Sequence, residues 1–286
     1  MKVEIICPLY NAGVDVLNLH QSLLMQKNVE IGKISYVLTE STDNTAELLK
    51  QKNIEFTTIT KDEFSHSLTR EKIAMKSNCD ILVFISQDVE IRDEFWLQNL
   101  ILPIINGEAV ASYSRQIGKY NDLEKYVREK NYPKQSFFVD KDKIDELGLK
   151  AFFFSDASSA VKTSIFKELN GYDSKKLITN EDMYLAYKII MSSYKIKYCA
   201  NSVVYHSHKL TLKQLYKRYY DIGRFFAQNA YFENYSILKE GINLAMYTLG
   251  RSLCCLNVGA IFRFIPDMLV RWFGMRNGKK HKTKIV

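Results

Sequence analysis

An α/β fold with a mostly parallel central sheet, followed by a helical C-terminal extension, is what this sequence of 286 residues predicts. Two features point there. Short apolar runs alternate with amphipathic segments of roughly ten residues through the first half, the signature of βαβ units. Strands separated by helices of that length imply a parallel sheet. From residue 211 onward the sequence is helical and aromatic.

In chain order, residues 3–7, 34–38, 54–59 and 81–86 read as strands, and 15–26, 43–50 and 67–76 as the helices between them. Residues 109–114 are a further strand, 121–130 a charged, exposed helix, and 141–150 a loop or short helix. An apolar run extends from Phe152 through Val161. Asn180-Glu181-Asp182 opens a helix to about residue 192, with Met183, Ala186, Tyr187 and Ile190 at i, i+3, i+4 and i+7. Residues 202–205 are strand-like. The C-terminal helical region is expected to break near Pro266, since proline removes a helical donor. No linker composition appears, so the expected division is an α/β domain over 1–208 and a helical, aromatic and basic extension over 209–286.

Composition narrows the function. Hydrophobic residues make up 47% and charged residues 25%, which excludes a disordered or collagenous chain, and only 4 Pro and 12 Gly argue against a Pro-rich linker. The net charge is +8, yet six cations and no acid lie from Arg271 onward, so the first 270 residues carry only +2. That distribution disfavours a nucleic-acid-binding fold. Five cysteines without a C-x-x-C pair fit a reducing compartment. The N-terminus does not resemble a signal peptide, and no uncharged apolar stretch reaches the roughly 18 residues of a spanning helix. A cytoplasmic protein is expected.

Ligands of parallel sheets sit at the carboxyl ends of the strands, which draws attention to Pro8, Tyr10 and Asn11, to residues 39–43, and to Gln87-Asp88. Asp88 ends an apolar strand, where a carboxylate either holds a divalent cation against a diphosphate or simply starts a turn. Asp182, at a helix start, is either a general base or a cap that offsets the dipole. His206 and His208 form an H-x-H pair whose rings share a face on a strand; they suit Mn²⁺ or Zn²⁺, or form a structural pair. His66 and Arg70 flank a helix N-terminus that Ser67 would cap, placing a guanidinium for a diphosphate or in solvent. Asp156 lies inside an apolar stretch and must be partnered or cleft-lining. P-loop and dinucleotide fingerprints are absent from the sequence.

The order of these signals is more specific than any one of them. Pro8-x-Tyr10-Asn11, Ser41-Thr42-Asp43-Asn44-Thr45, Phe64-Ser65-His66-Ser67-x-Thr69-Arg70, Gln87-Asp88 and Glu181-Asp182 resemble, over residues 3–225, the family 2 inverting glycosyltransferases. The F-x-H-x-x-x-R segment before a Q-D, in place of D-x-D, resembles their rhamnosyltransferase-like branch. The resemblance implies a GT-A fold, a nucleotide-sugar donor, a divalent metal (Mn²⁺ or Mg²⁺) and inversion by single displacement. It places Pro8, Tyr10, Asn11, Glu40 and Asp43 around the nucleoside, and Arg70, Gln87 and Asp88 at the diphosphate. Asp88, with His206 or His208, would hold the metal, and Asp182 would be the base. His66, Asp156 and Glu181 would line the acceptor side or support the base. It also implies dTDP-L-rhamnose as donor and a lipid-linked saccharide acceptor in cell-surface polysaccharide synthesis. One position departs from the pattern: three residues before Ser41, where many members carry Asp, stands Leu38.

Aromatic and basic residues over 212–232 and 261–273, followed by a Lys-rich tail, suit an anionic membrane surface at the inner face of the cell membrane. A helix packed on its own domain, or on a second subunit as a homodimer, competes. Alternatives of function are a UDP-sugar transferase, and a non-catalytic basic surface or nucleic-acid-binding protein. The latter gives no reason for Asp88, Asp182 and Arg70 to fall where they do. A sugar nucleotidyltransferase would need a Gly-rich basic loop where residues 8–11 stand.

Overall fold

Strands with apolar residues at every position need cover on both faces, and the sheet has it. The computed structural model describes residues 1–235 and 237–280; Lys282 and Lys284 of the basic tail lie outside the described residues. The elements are β1 (Lys2–Leu9), α1 (Asp15–Leu24), β2 (Glu30–Thr39), α2 (Thr45–Gln51), β3 (Phe56–Ile59), α3 (His66–Ala74), β4 (Ile81–Ile85), α4 (Trp96–Ile105), β5 (Ala111–Ile117), α5 (Leu123–Asn131), β6 (Phe137–Val139), α6 (Ile144–Leu147), β7 (Ser158–Lys162), α7 (Thr163–Glu168), α8 (Glu181–Met191), β8 (Ile196–Tyr205), α9 (Leu212–Gln228), α10 (Ile237–Cys254) and α11 (Val258–Lys280). Ile81, Val83 and Ile85 of β4 join one core with α1 and α4, while Leu82 and Phe84 join the other with α8 and α9. This is the period-2 alternation of a strand with both faces buried.

The strand order is β3-β2-β1-β4-β7-β5-β8-β6. The β3-β2-β1-β4 half is wholly parallel. Strand β7 runs antiparallel between β4 and β5, β5 and β8 are parallel, and β6 closes the edge antiparallel to β8. The sheet is thus mostly parallel and flanked by helices, as the alternating pattern predicts. Trp96 is fully buried at the seam, donating Nε1–H towards Ser114 Oγ (3.1 Å) and Ser158 Oγ (3.2 Å). Ser114 also meets Ser202 at 2.8 Å, so this polar cluster is satisfied internally.

Several elements differ from the sequence expectations. Helix α4 and the short α7 and β6 were not foreseen; α4 is so apolar, with Leu97, Leu100, Ile101 and Ile104 buried, that periodicity does not separate it from a strand. Helix α5 is not simply exposed, because Leu123, Tyr126, Val127 and Arg128 are buried. Ser65, not Ser67, caps α3; Ser67 Oγ instead donates to the Lys175 carbonyl at 2.6 Å. The expected break at Pro266 does not occur. It falls at residues 255–257, where Leu256 takes φ +48° and the Asn257 side chain accepts the Ala260 N–H at 3.1 Å.

Helix α11 carries Pro266 without breaking because its contacts on both sides of the proline outweigh one lost hydrogen bond. Ala260, Phe264 and Met268 pack on Leu123 and Tyr126, and beyond the proline glycines bring α11 against the α9 backbone. A Cβ at Gly274 would stand 2.7 Å from the Tyr216 carbonyl oxygen, and one at Gly278 would collide with that of Tyr220. Helix α9 in turn places Phe225 and Phe226 in the main core. Gly278→Val should therefore destabilise the fold by about 1–3 kcal/mol, lowering the midpoint of a urea melt. An unchanged midpoint would refute the close α9–α11 contact.

Candidate active site

The loops after β1 and β2 hold each other. Asn11, at φ +47°, accepts the Thr42 N–H on its Oδ1 (2.9 Å), and its own N–H donates to Ser41 Oγ (3.0 Å). Asp43 accepts from Gly13 N–H at 3.0 Å and from Thr45 Oγ1 at 2.7 Å. Its acidity is strengthened: the slight burial that opposes ionisation is outweighed by these hydrogen bonds. Gln87 clasps the next peptide, accepting the Tyr10 N–H at 2.6 Å and donating to the Tyr10 carbonyl at 2.8 Å. Pro8 lies within β1, and the Tyr10 ring is left exposed at the strand ends, as is Glu40. Leu38 is buried in the core and cannot present a group to a base.

Asp88 follows β4, whereas His206 and His208 follow β8, three strands further across the sheet. A bridge joins them: Glu90 and Tyr205 exchange both backbone hydrogen bonds at 2.9 Å. His206 Nε2 then lies 3.3 Å, and His208 Nδ1 3.2 Å, from Asp88 Oδ2. The histidines lie beyond the strand rather than on it, and their rings meet edge to face. The Gln116 carboxamide oxygen accepts from Arg128, so His206 Nδ1 is the donor in its 3.0 Å contact with that oxygen. The remaining Nε2 lone pair faces a carboxylate, without a hydrogen-bond partner among the described residues. Two acceptors aimed at each other in a buried setting fit a cation between them, and the three ligand atoms lie within 4.8 Å of one another.

A cavity of about 590 Å³ adjoins this cluster, lined by both histidines and by Asp182. On its inner wall Arg70 is buried, with Nη1 3.3 Å from Glu181 Oε1 and 2.9 Å from the His66 carbonyl. Nη2 points to the Asp156 carbonyl at 3.5 Å. Asp156 is buried too, accepting from Tyr172 OH (2.6 Å) and Ser159 Oγ (2.7 Å); burial outweighs the Arg70 charge and pushes its carboxyl up to about 6. Asp182 occupies the first turn of α8, after Asn180 in a left-handed conformation at φ +58°. Burial, then the negative charges of Glu181 and Asp156, push its carboxyl well above the ordinary range. Such a carboxylate in a cleft has the proton affinity a general base needs. The Phe64 and His66 rings meet edge to face beside this wall.

The structure thus brings Asp88, His206 and His208 together, and gathers Arg70, Asp156, Glu181 and Asp182 in a second group on the same cavity. Asn11, Asp43 and Gln87 brace the neighbouring loops. Sequence reasoning missed Gln116 and Arg128, which orient His206, and Lys119, whose ammonium donates to the Asp88 carbonyl at 2.7 Å. A signal for Gln116 existed: Ser112, Ser114 and Gln116 put polar groups at alternate positions of one strand, facing inward.

Burial lowers the proton affinity of both imidazoles against the opposing pull of Asp88, and His208 falls to about 4. Asp88 is itself held at about 2, because the two imidazoles outweigh the effect of its burial. The His208 ring is therefore neutral, with its lone pair available, until pH approaches its own pKa, and burial favours the neutral form of His206 as well. Mn²⁺ affinity by calorimetry should stay level from about pH 8 downward and fall only as pH approaches about 4. A loss centred near 6.5, the ordinary imidazole value, would contradict the arrangement.

The model of Glycosyl transferase family 2 matches residues 4–169. The chain is 33% identical over 231 residues to the O-antigen chain rhamnosyltransferase RfbN of Salmonella typhimurium, covering 79% of this chain and 73% of that protein. It is 31% identical to the O-antigen chain rhamnosyltransferase WbaN of Salmonella anatum, covering 80% and 73%. In fold it is similar to the mannosyltransferase PcManGT of Pyrobaculum calidifontis, solved with GDP-Man and Mn²⁺, at TM-score 0.67 and 14% identity over 98% of this chain and 88% of that one. The chain belongs to glycosyltransferase family 2 and is a glycosyltransferase.

Proposed function

We propose that the protein transfers L-rhamnose from dTDP-L-rhamnose to a hydroxyl of a lipid-linked glycan, inverting the anomeric carbon. The observation that carries this is one cavity lined both by Asp182 and by the histidines that face Asp88; the rhamnosyltransferases at 31–33% identity support the sugar. Residues 1–208 would supply donor binding and most of the catalytic groups.

Asp88, His206 and His208 would hold Mn²⁺ or Mg²⁺, which supplies positive charge for the departing diphosphate. Asp182 takes the proton of the acceptor hydroxyl as that oxygen bonds to the sugar C1. The C1–oxygen bond to the diphosphate breaks on the opposite face, and its electron pair leaves with the nucleoside diphosphate. Asp182 gains proton affinity from its neighbours and keeps its place through the Arg70–Glu181 pair at the start of α8. Tyr10 and Glu40 face the nucleoside from the strand ends. With Leu38 in the core, a uridine donor is the second candidate.

Asp182→Asn should reduce transfer at least about a thousandfold while dTDP binding stays within about twofold of wild type. Substantial transfer by the variant would overturn the base assignment.

The extension would dock on an anionic membrane at its inner face, near the lipid-linked acceptor. Helix α11 exposes Val258, Phe262, Ile265, Leu269 and Trp272, spaced four and three residues apart along one face. Of the acids on α10 and α11, Glu240 pairs with Lys150, and Asp267 is buried with Arg271. Arg276 lies over the Trp272 ring, as at a membrane interface. No helix among the described residues is long and apolar enough to cross a membrane. Phe262→Asp with Ile265→Asp, both at exposed positions, should weaken sedimentation with anionic liposomes about tenfold or more. Unchanged sedimentation would refute membrane docking by this face.

A further inference from the structure

Four guanidinium groups line the large cavity: Arg70, Arg128, Arg218 and Arg271. Three are held by carboxylates. Arg70 meets Glu181 at 3.3 Å, Arg128 meets Glu124 at 3.6 Å, and Arg271 meets Asp267 and, at 3.7 Å, Glu124. The neighbouring Lys217 is held by Asp221 at 2.9 Å. Among the described residues, Arg218 alone of the four has no carboxylate within ion-pair distance.

The position of Arg218 is built. Leu215, Phe225 and Phe226 bury the core side of α9, and the glycine contacts with α11 fix the helix along its length. That leaves Arg218, in the second turn, exposed and on the cavity. It shares that cavity with His66, His206 and His208. A cation on this wall with no acid of its own adds no ion pair to the fold. It does suit an anion at the Asp88 cluster. Of the acids that line the cavity, Glu124 is paired with Arg128 and Arg271, and Asp221 of α9 with Lys217, while Asp156, Glu181 and Asp182 gather around Arg70, so the cation left for an anion is Arg218 on the α9 side.

We infer that Arg218 binds the diphosphate of the nucleotide-sugar donor, facing the Asp88–His206–His208 cluster across it, and so takes the part that the family pattern suggests for Arg70. The inference rests on the donor proposed above. Arg70, 3% exposed and bound to Glu181, is a positioning residue for the start of α8. The guanidinium fork of Arg218 matches two phosphate oxygens, and its charge counts most as the C1–oxygen bond breaks and negative charge grows on the leaving group. A lipid diphosphate on the acceptor would offer the same chemistry, and the test separates the two sources.

Calorimetric titrations of dTDP, UDP, dTMP and farnesyl diphosphate, each with Mn²⁺, would be run on wild type, Arg218→Gln, Arg218→Lys and Lys217→Gln. Arg218→Gln should weaken the nucleoside diphosphate that wild type binds by about tenfold or more and change dTMP by less than about threefold. Arg218→Lys should fall between, Lys217→Gln should match wild type, and the melting temperature of Arg218→Gln should stay at the wild-type value. Wild-type affinity of Arg218→Gln for the nucleoside diphosphate would overturn the inference. So would an equal loss of dTMP, or loss confined to farnesyl diphosphate. If wild type binds neither dTDP nor UDP, the donor proposal itself fails.

Discussion

The buried pair between Arg70 of α3 and Glu181 of α8 is the constraint on which the cavity depends. Two charges taken from water need each other: removing one partner of such a pair costs about 3–5 kcal/mol, because the other is stranded. The pair does more than hold two helices together. Arg70 also binds the carbonyls of His66 and Asp156, so one guanidinium ties the β3–α3 junction, the segment entering β7 and the start of α8. Asp182 follows Glu181 directly, so its place derives from this knot, while burial first and then the charges of Glu181 and Asp156 raise its proton affinity. Tyr172, which donates to Asp156, anchors the knot to the aromatic core beside Phe84 and Phe166.

The second group depends on a different device. Parallel strands deliver their ends to one edge of the sheet, but β4 and β8 are separated there by β7 and β5. The segment after β4 crosses that gap to pair with Tyr205, and Arg92 stacks on the Tyr205 ring at 3.8 Å. Without this crossing Asp88 would end a strand facing nothing in particular. With it, Asp88 meets two imidazoles, one of them fixed by Gln116 and Arg128. An acceptor of this sort for the N–H of the far nitrogen is how a histidine ligand is oriented.

Much of this was legible in the sequence because it depends on local pattern. The short apolar runs of β1 and β4, alternating with amphipathic segments, read as strands of a parallel sheet, and polar clusters at their ends marked the site. What escaped was set by tertiary contact. Helix α4 is apolar nearly all round, and the contacts of α11 carry it through Pro266. Ser67 sits where a cap belongs but is drawn to the Lys175 carbonyl. Asp88, His206 and His208 were each visible singly, yet the bridge that assembles them joins segments more than a hundred residues apart. The engagement of Arg70 by Glu181 is long-range in the same way, which is why the motif alone suggested an anion site where the fold builds an ion pair.

The central claim is a nucleotide-sugar site completed by a divalent cation at Asp88, His206 and His208. The most direct test is a thermal-shift panel of dTDP, UDP, GDP and CDP, each with and without Mn²⁺. A ligand at about 100 times its dissociation constant stabilises the protein that binds it by about 2.7 kcal/mol, a readily measured shift. A Mn²⁺-dependent shift with dTDP, absent in Asp88→Asn, is the predicted result. No shift with any of the four nucleotides, or shifts indifferent to Mn²⁺ and to Asp88, would contradict the account.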